Sequence, residues 1–239
     1  MKNKRIIQPQ LFFRVLFCIA VALTSRFSLL TSAQAQRIHA FVSSGMTVNQ
    51  IEGDELKGFK HFGYTGGVGV LASISNNNQW GLSVETLFCQ RGARSTGDTR
   101  YYLYKLDITS NYIEIPVMLH WQDPNGGMLF GAGLSYGRLV RQPQGTVGFN
   151  DAFFVPDTTD KEFLSSDFSA VIDARFTIWR GLQLNLRWQH SILPVKRDWA
   201  FRKYEGYESD GNGNRVERWS TITNNCYNHS ISVRLIWQF

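Results

Sequence analysis

Two His-Ser dipeptides, His190-Ser191 and His229-Ser230, carry the residue types of a hydrolytic site. A histidine can take a proton from a serine hydroxyl and make it a nucleophile. Adjacent residues of one strand point to opposite faces, so a usable pair must come from two strands. His190 with His229 or with Ser230 meets that condition if the two segments are antiparallel neighbours. The segment ESDGNGNRVE (208–217) sets Asp210, Asn212 and Asn214 at alternate positions, the start of a calcium loop. Such a loop needs a glycine next and a glutamate at its twelfth position. Arg215 and Thr221 stand there, so a polar turn is expected and no metal. Gly66, Gly67 and Gly69, and then Gly131, Gly133 and Gly137, are spaced closely enough to suggest phosphate loops. No helical pattern follows either cluster, and no cofactor is expected.

The elements that would position these residues are strands. After residue 36, apolar residues recur with period two, not with a helical period. A weaker first strand covers 37–45. Seven clearer ones follow at about 62–75, 79–92, 102–122, 127–140, 167–178, 181–192 and 227–239. Asn76-Asn77-Asn78, Asp123-Pro124-Asn125-Gly126 and Trp179-Arg180-Gly181 are tight turns of turn-favouring or polar residues. The other connections (46–61, 93–101, 141–166, 193–226) are longer. Short and long connections therefore alternate, so every short turn falls at one end of an up-and-down sheet. Outer-membrane barrels keep this asymmetry, with an even strand number.

The two faces divide sharply. Leu182, Leu184, Leu186 and Trp188 oppose Gln183, Asn185, Arg187 and Gln189. Ile113, Ile115, Val117, Leu119 and Trp121 oppose Glu114, Met118 and His120. Alternation alone fits a soluble lipocalin-like carrier with an apolar interior as well as a membrane barrel with a polar one. Three features favour the membrane. Trp80, Trp121, Trp179 and Trp237 gather at the short-turn end, and Tyr64, Tyr112, Tyr136 and Trp188 toward the other, as two interfacial girdles would. The polar faces carry charges of both signs and arginines rather than lysines. Glu85, Glu114 and Asp173, with His120, are placed to pair with Arg91, Arg175, Arg187 and Arg234 as a lumen network. Glycine in strands permits the coiling that closure needs.

The formal charge of +6 does not point to nucleic acid. Lys2, Lys4, Arg5, Arg14 and Arg26 supply five of those charges, and no acidic residue precedes residue 37. Residues 1–14 are cationic, 15–23 apolar, and Ala33-Gln34-Ala35 is a small-x-small cleavage site. Residues 1–35 are expected to be a signal peptide and 36–239 the barrel. A membrane helix over 11–30 is the competing reading, and Arg14 and Arg26 inside that window oppose it. Cys89 and Cys226 remain after cleavage and are expected as free thiols.

The stretches GLSVETLFCQRGAR (81–94), NYIEIPVMLHW (111–121) and GAGLSYGRLV (131–140), in this order, resemble the PorT-like outer-membrane β-barrel proteins of Bacteroidetes. VNQIEGDELKGFKHFGYTGGVGV (48–70) is similar to that family's first loop and second strand. The most distinctive piece is Tyr112-x-Glu114-x-Pro116-Val117. The resemblance implies an outer-membrane protein in contact with lipid. It also implies a C-terminal strand, with Trp237 and Phe239, read by the outer-membrane assembly machinery. It brings no catalytic residues, and it implies a role as an accessory to protein secretion. The expectation is an all-β, eight-stranded antiparallel up-and-down transmembrane β-barrel, non-enzymatic, with long loops that bind a surface or secretion-system partner. A lipid-modifying enzyme at the histidine rim is the alternative beside the soluble carrier.

Overall fold

The chain is seen in a computed structural model that describes residues 38–54, 58–96, 105–148, 154–156, 162–209 and 215–239. The segment expected to be a signal peptide lies outside these residues, as do Asp210, Asn212 and Asn214. Among the described residues, ten strands run in order: β1 (Ile38–Glu52), β2 (His61–Ser73), β3 (Trp80–Thr96), β4 (Lys105–Gln122), β5 (Met128–Gly148), β6 (Phe154–Pro156), β7 (Ser166–Trp179), β8 (Leu182–Ser191), β9 (Lys196–Ser209) and β10 (Arg215–Gln238). Eight of them, β1 to β5, β7, β8 and β10, form an antiparallel ring. The ring closes where β10 pairs with β1, from Phe41 opposite Gln238 to Glu52 opposite Tyr227.

The three short turns form where the sequence places them. Each contains a residue in the left-handed region: Asn78 (φ 56°), Gly126 (φ 74°) and Arg180 (φ 44°). Asparagine and glycine adopt this conformation at little cost, and an arginine does so less readily. The Arg180 guanidinium lies 5.4 Å from the centre of the Trp179 ring.

The 193–226 connection corrects the sequence expectation. It is not a loop. β9 pairs with the first half of β10, from Arg215 opposite Ser209 to Cys226 opposite Lys196, and the short β6 pairs with β9. β10 therefore continues past the barrel wall as one arm of a β9–β10 ribbon, with β6 along the β9 edge. Its second half belongs to the barrel, where residues 227–238 pair with β1. The ribbon arm is exposed or half-buried on both faces, so it has no apolar alternation for a sequence reading to detect. The first strand is also longer than expected, reaching Glu52. Its pattern is interrupted at Gly45, where a side chain would strike the Val233 carbonyl of β10.

Polarity is inverted relative to a soluble barrel. Leu82, Val84, Ile115, Val117, Ile172, Leu186, Val233 and Leu235 are exposed, while Arg91, Arg175 and Arg234 are only 1%, 2% and 1% exposed in their side chains. Water would reverse this arrangement, whereas lipid outside the wall accounts for it. At the long-connection end, the inward residues Ile51, Ala93, Ile108 and Cys226 pack with Trp199 of the ribbon, and Phe163 lies against them. The Lys196 ammonium sits 4.2 Å from the Trp199 ring centre. Together the packed residues form an apolar cap over part of the lumen at that end.

Candidate functional site

The lumen charges fall into two tiers. The tier nearer the short turns centres on Glu85 of β3. Its Oε1 accepts hydrogen bonds from Arg175 Nη2 at 3.0 Å and Arg187 Nη2 at 2.7 Å, and its Oε2 accepts one from Arg234 Nη1 at 3.0 Å. Asp173 Oδ2 accepts from Arg187 Nη2 at 2.9 Å and lies 3.7 Å from Arg175 Nε and 4.0 Å from Arg234 Nη2. Arg234 Nε donates to Asn185 Oδ1 at 2.8 Å. His120 Nε2 is 2.7 Å from Ser83 Oγ, and its Nδ1 is 3.6 Å from Asp173 Oδ1. The Arg175 guanidinium stands 4.8 Å from the Phe41 ring centre. The residues come from β1, β3, β4, β7, β8 and β10, all at inward positions of the two-residue alternation.

The second tier centres on Arg91. It pairs with Glu114, at 2.5 Å, and with Asp167, at 2.7 Å. Asp167 also accepts from Asn228 Nδ2 and Ser169 Oγ, and Gln189 Nε2 donates to Glu114. Tyr112 lies beneath the guanidinium, 5.6 Å from ring centre to Arg91 Cζ. Buried arginines need this company, because an unpaired charge in a low-dielectric interior costs several kcal/mol. Planar forks let one arginine serve two carboxylates.

Glu85, Arg91, Glu114, His120, Asp173, Arg175, Arg187 and Arg234 all point inward and lie in these two tiers. Sequence reasoning passed over Asp167, Asn185 and Asn228. Asp167 was within reach, because it shares the inward parity of Asp173 and Arg175 along β7. Tyr112 is a correction. It is fully buried in the lumen and not part of an outer girdle, having the parity of Glu114 and His120. Trp80, Trp121, Trp179 and Trp237 are exposed on the outer face at the short-turn end, with Trp80 opposite Trp121. Trp188 is exposed nearer the other end, opposite Ile231. Phe239 is exposed, and its amide donates to the Ala40 carbonyl on β1.

The histidine rim separates its own chemistry. His190 of β8 and His229 of β10 are register partners on the outer face, with rings stacked at 5.1 Å and 17°. Trp188 Nε1 donates to His229 Nε2 at 2.6 Å, and His190 Nε2 lies 3.3 Å from Glu52 Oε2. Ser191 and Ser230 are buried on the lumen side, and Ser191 Oγ accepts the Asn228 amide. The barrel wall stands between hydroxyl and imidazole, so His190 and Ser230 do not meet. Cys89 and Cys226 are both buried, and no disulfide joins them. Among the described residues, no group of three His, Cys, Asp or Glu side chains is placed to hold a metal ion. A cavity of about 260 Å³ opens at the short-turn end, lined by His39, Ser73, His120, Gln122, Thr177 and Gln183, among others.

A family described as "Outer membrane protein beta-barrel domain" matches residues 32–196. No curated protein matches. Among solved structures, the chain is similar to Ail, the attachment invasion locus protein of Yersinia pestis, at 10% identity and a TM-score of 0.43, covering 84% of this chain and 98% of that one. It is similar to Neisserial surface protein A at 8% identity and a TM-score of 0.44, covering 84% and 97%. A major outer membrane protein from Thermus thermophilus gives 11% identity, a TM-score of 0.44, and 84% and 99% coverage.

Proposed function

Because this chain belongs to the outer membrane protein beta-barrel domain family, we propose that it is a non-enzymatic, non-conducting outer-membrane protein that presents the β9–β10 ribbon as a binding element. Its task is accessory to protein secretion or envelope organisation, as its likeness to PorT-like proteins suggests. Residues 1–35 direct export and are removed. The C-terminal strand, with Trp237 and Phe239, is the element that the outer-membrane assembly machinery engages.

The observation that carries this reading is the packed lumen. Four arginines and four carboxylates fill it in ion pairs, and an apolar cap packs at one end. An eight-stranded barrel has no room for a water channel beside such side chains. That leaves the ribbon, with Tyr207 and Val216 exposed, as the part available to a partner. The lipid-modifying alternative loses its support where Ser191 and Ser230 face away from the histidines.

The test compares proteins released into the medium by a deletion strain, its parent, and a strain whose barrel lacks the ribbon beyond Trp199 and Asn224. Loss of particular cargo in both altered strains, with the outer membrane intact, supports the proposal. An unchanged set of released proteins removes the secretion role.

A further inference from the structure

We propose that the Glu85 tier binds one compact monovalent anion, admitted from the cavity at the short-turn end. The first observation is charge. Arg175, Arg187 and Arg234 face only Glu85 and Asp173 there, three cations against two anions. The Arg91 tier has the opposite imbalance, one arginine against Glu114 and Asp167. The lumen is neutral in sum, yet no ion pair joins the two tiers among the described residues. Neutrality at a distance does not satisfy directional N–H groups.

The second observation is those N–H groups. Arg175 Nε, Arg187 Nε and Nη1, and Arg234 Nη2 are buried and make no hydrogen bond. These side chains are 1–3% exposed, so bulk water does not serve them. Asp173 Oδ1 is the one carboxylate oxygen in the tier that accepts no hydrogen bond, which leaves donors in excess. A buried polar group without a partner costs about 1–3 kcal/mol, and a charged one more. A single anion supplies both the missing charge and the missing acceptor. A divalent anion would overturn the charge in the other direction, and a neutral ligand would leave it.

The third observation is access. His120 lines the short-turn cavity and also touches the tier, with Nε2 3.4 Å from Arg175 Nη2 and Nδ1 3.6 Å from Asp173 Oδ1. Apart from His39, the rest of the cavity lining carries no ionisable side chain: Gln122, Gln183, Gln238, Asn78, Ser73 and Thr177 offer hydrogen bonds. An anion therefore meets a polar funnel in which His120 is the residue that touches the arginine tier, through Arg175. The opposite end carries the apolar cap, which offers an anion no hydrogen-bonding entrance. The ligand is either a free halide or the carboxylate of a small organic acid, and these share one chemistry.

The test is thermal unfolding of the full barrel in non-ionic detergent, at fixed ionic strength, with a bulky organic sulfonate, 2-(N-morpholino)ethanesulfonate, replaced stepwise by chloride or by acetate. The midpoint should rise and saturate with chloride, with acetate, or with both. Chloride alone identifies a halide site and acetate alone a carboxylate site. Equal midpoints in all three salts overturn the proposal. Arg234→Gln makes the tier two against two, and the folded variant should lose the salt-specific rise. A folded variant that keeps the full rise also overturns it. Bromide-soaked crystals of the unaltered barrel give a reading independent of whether the variant folds. An anomalous peak should lie within hydrogen-bond reach of the Arg187 and Arg234 guanidinium groups, and a featureless map there contradicts the site.

Discussion

Replacing Glu85 with glutamine removes the carboxylate that three arginines share. Its side chain is 0% exposed, and the pairs at 2.7, 3.0 and 3.0 Å are all lost as ion pairs at once. The amide oxygen can still accept one or two hydrogen bonds, but its NH₂ group is turned toward guanidinium donors. Asp173 becomes the sole counter-charge, so the tier moves from an excess of one cation to an excess of two. Removing one partner of a buried pair costs about 3–5 kcal/mol, largely through the charge left behind. With a urea slope of about 2 kcal/mol per molar, the unfolding midpoint should fall by about 2 M. The assay is urea unfolding of the refolded barrel, read by the heat-modifiable shift in gel migration. Glu52→Gln is the control. That carboxylate is 59% exposed and lies 3.3 Å from His190 Nε2, so it should cost under about 1 kcal/mol. If Glu85→Gln and Glu52→Gln unfold at the same urea concentration, the tier does not bear on stability and the reasoning fails.

Other substitutions separate the faces of the wall. Leu184 sits on the outer face between Leu235 and Phe176, and Leu184→Arg should cost about 2–4 kcal/mol if it lies at mid-membrane. Gln183→Arg, at the polar cavity, should be milder; equal assembly yields for the two would contradict the assigned facing. Gly45→Ala forces a methyl group into the Val233 carbonyl and the Arg234 side chain at the β1–β10 closure. A loss of about 1–3 kcal/mol in urea unfolding is expected, and a neutral result would mean that the closure is looser than described. Cys89 and Cys226 should resist a water-soluble maleimide in the folded barrel and react together on denaturation; rapid labelling of the native protein would contradict their burial.

The barrel was legible because lipid enforces period two wherever a strand crosses it. Ile113 to Trp121 against Glu114, Met118 and His120 reads clearly, since one side must be apolar along its whole length. The short turns were legible because Asn78 and Gly126 are residue types that tolerate positive φ. The ribbon was not. Beyond the membrane neither face of β9 or β10 is required to be apolar, and a strand with two polar faces looks like a loop. Tyr112 shows a different limit. Tyrosine suits both an interfacial girdle and the underside of a buried guanidinium, so only its parity, shared with Glu114, decides between them. Pairing within the lumen was legible only as a set of inward charges. Which arginine meets which carboxylate depends on the stagger of strands that are distant in sequence, as with Arg234 and Glu85, 149 residues apart.

The central claim is that the apolar face meets lipid and that the ribbon stands clear of it. Single cysteines at Leu184 and Tyr207 test it directly, with a membrane-impermeant thiol reagent on intact cells and with a fluorophore quenched by brominated acyl chains. Tyr207→Cys should react from outside and remain unquenched, while Leu184→Cys should be unreactive to the aqueous reagent and quenched by lipid. Comparable aqueous labelling of both positions, with no lipid quenching at 184, would contradict the account.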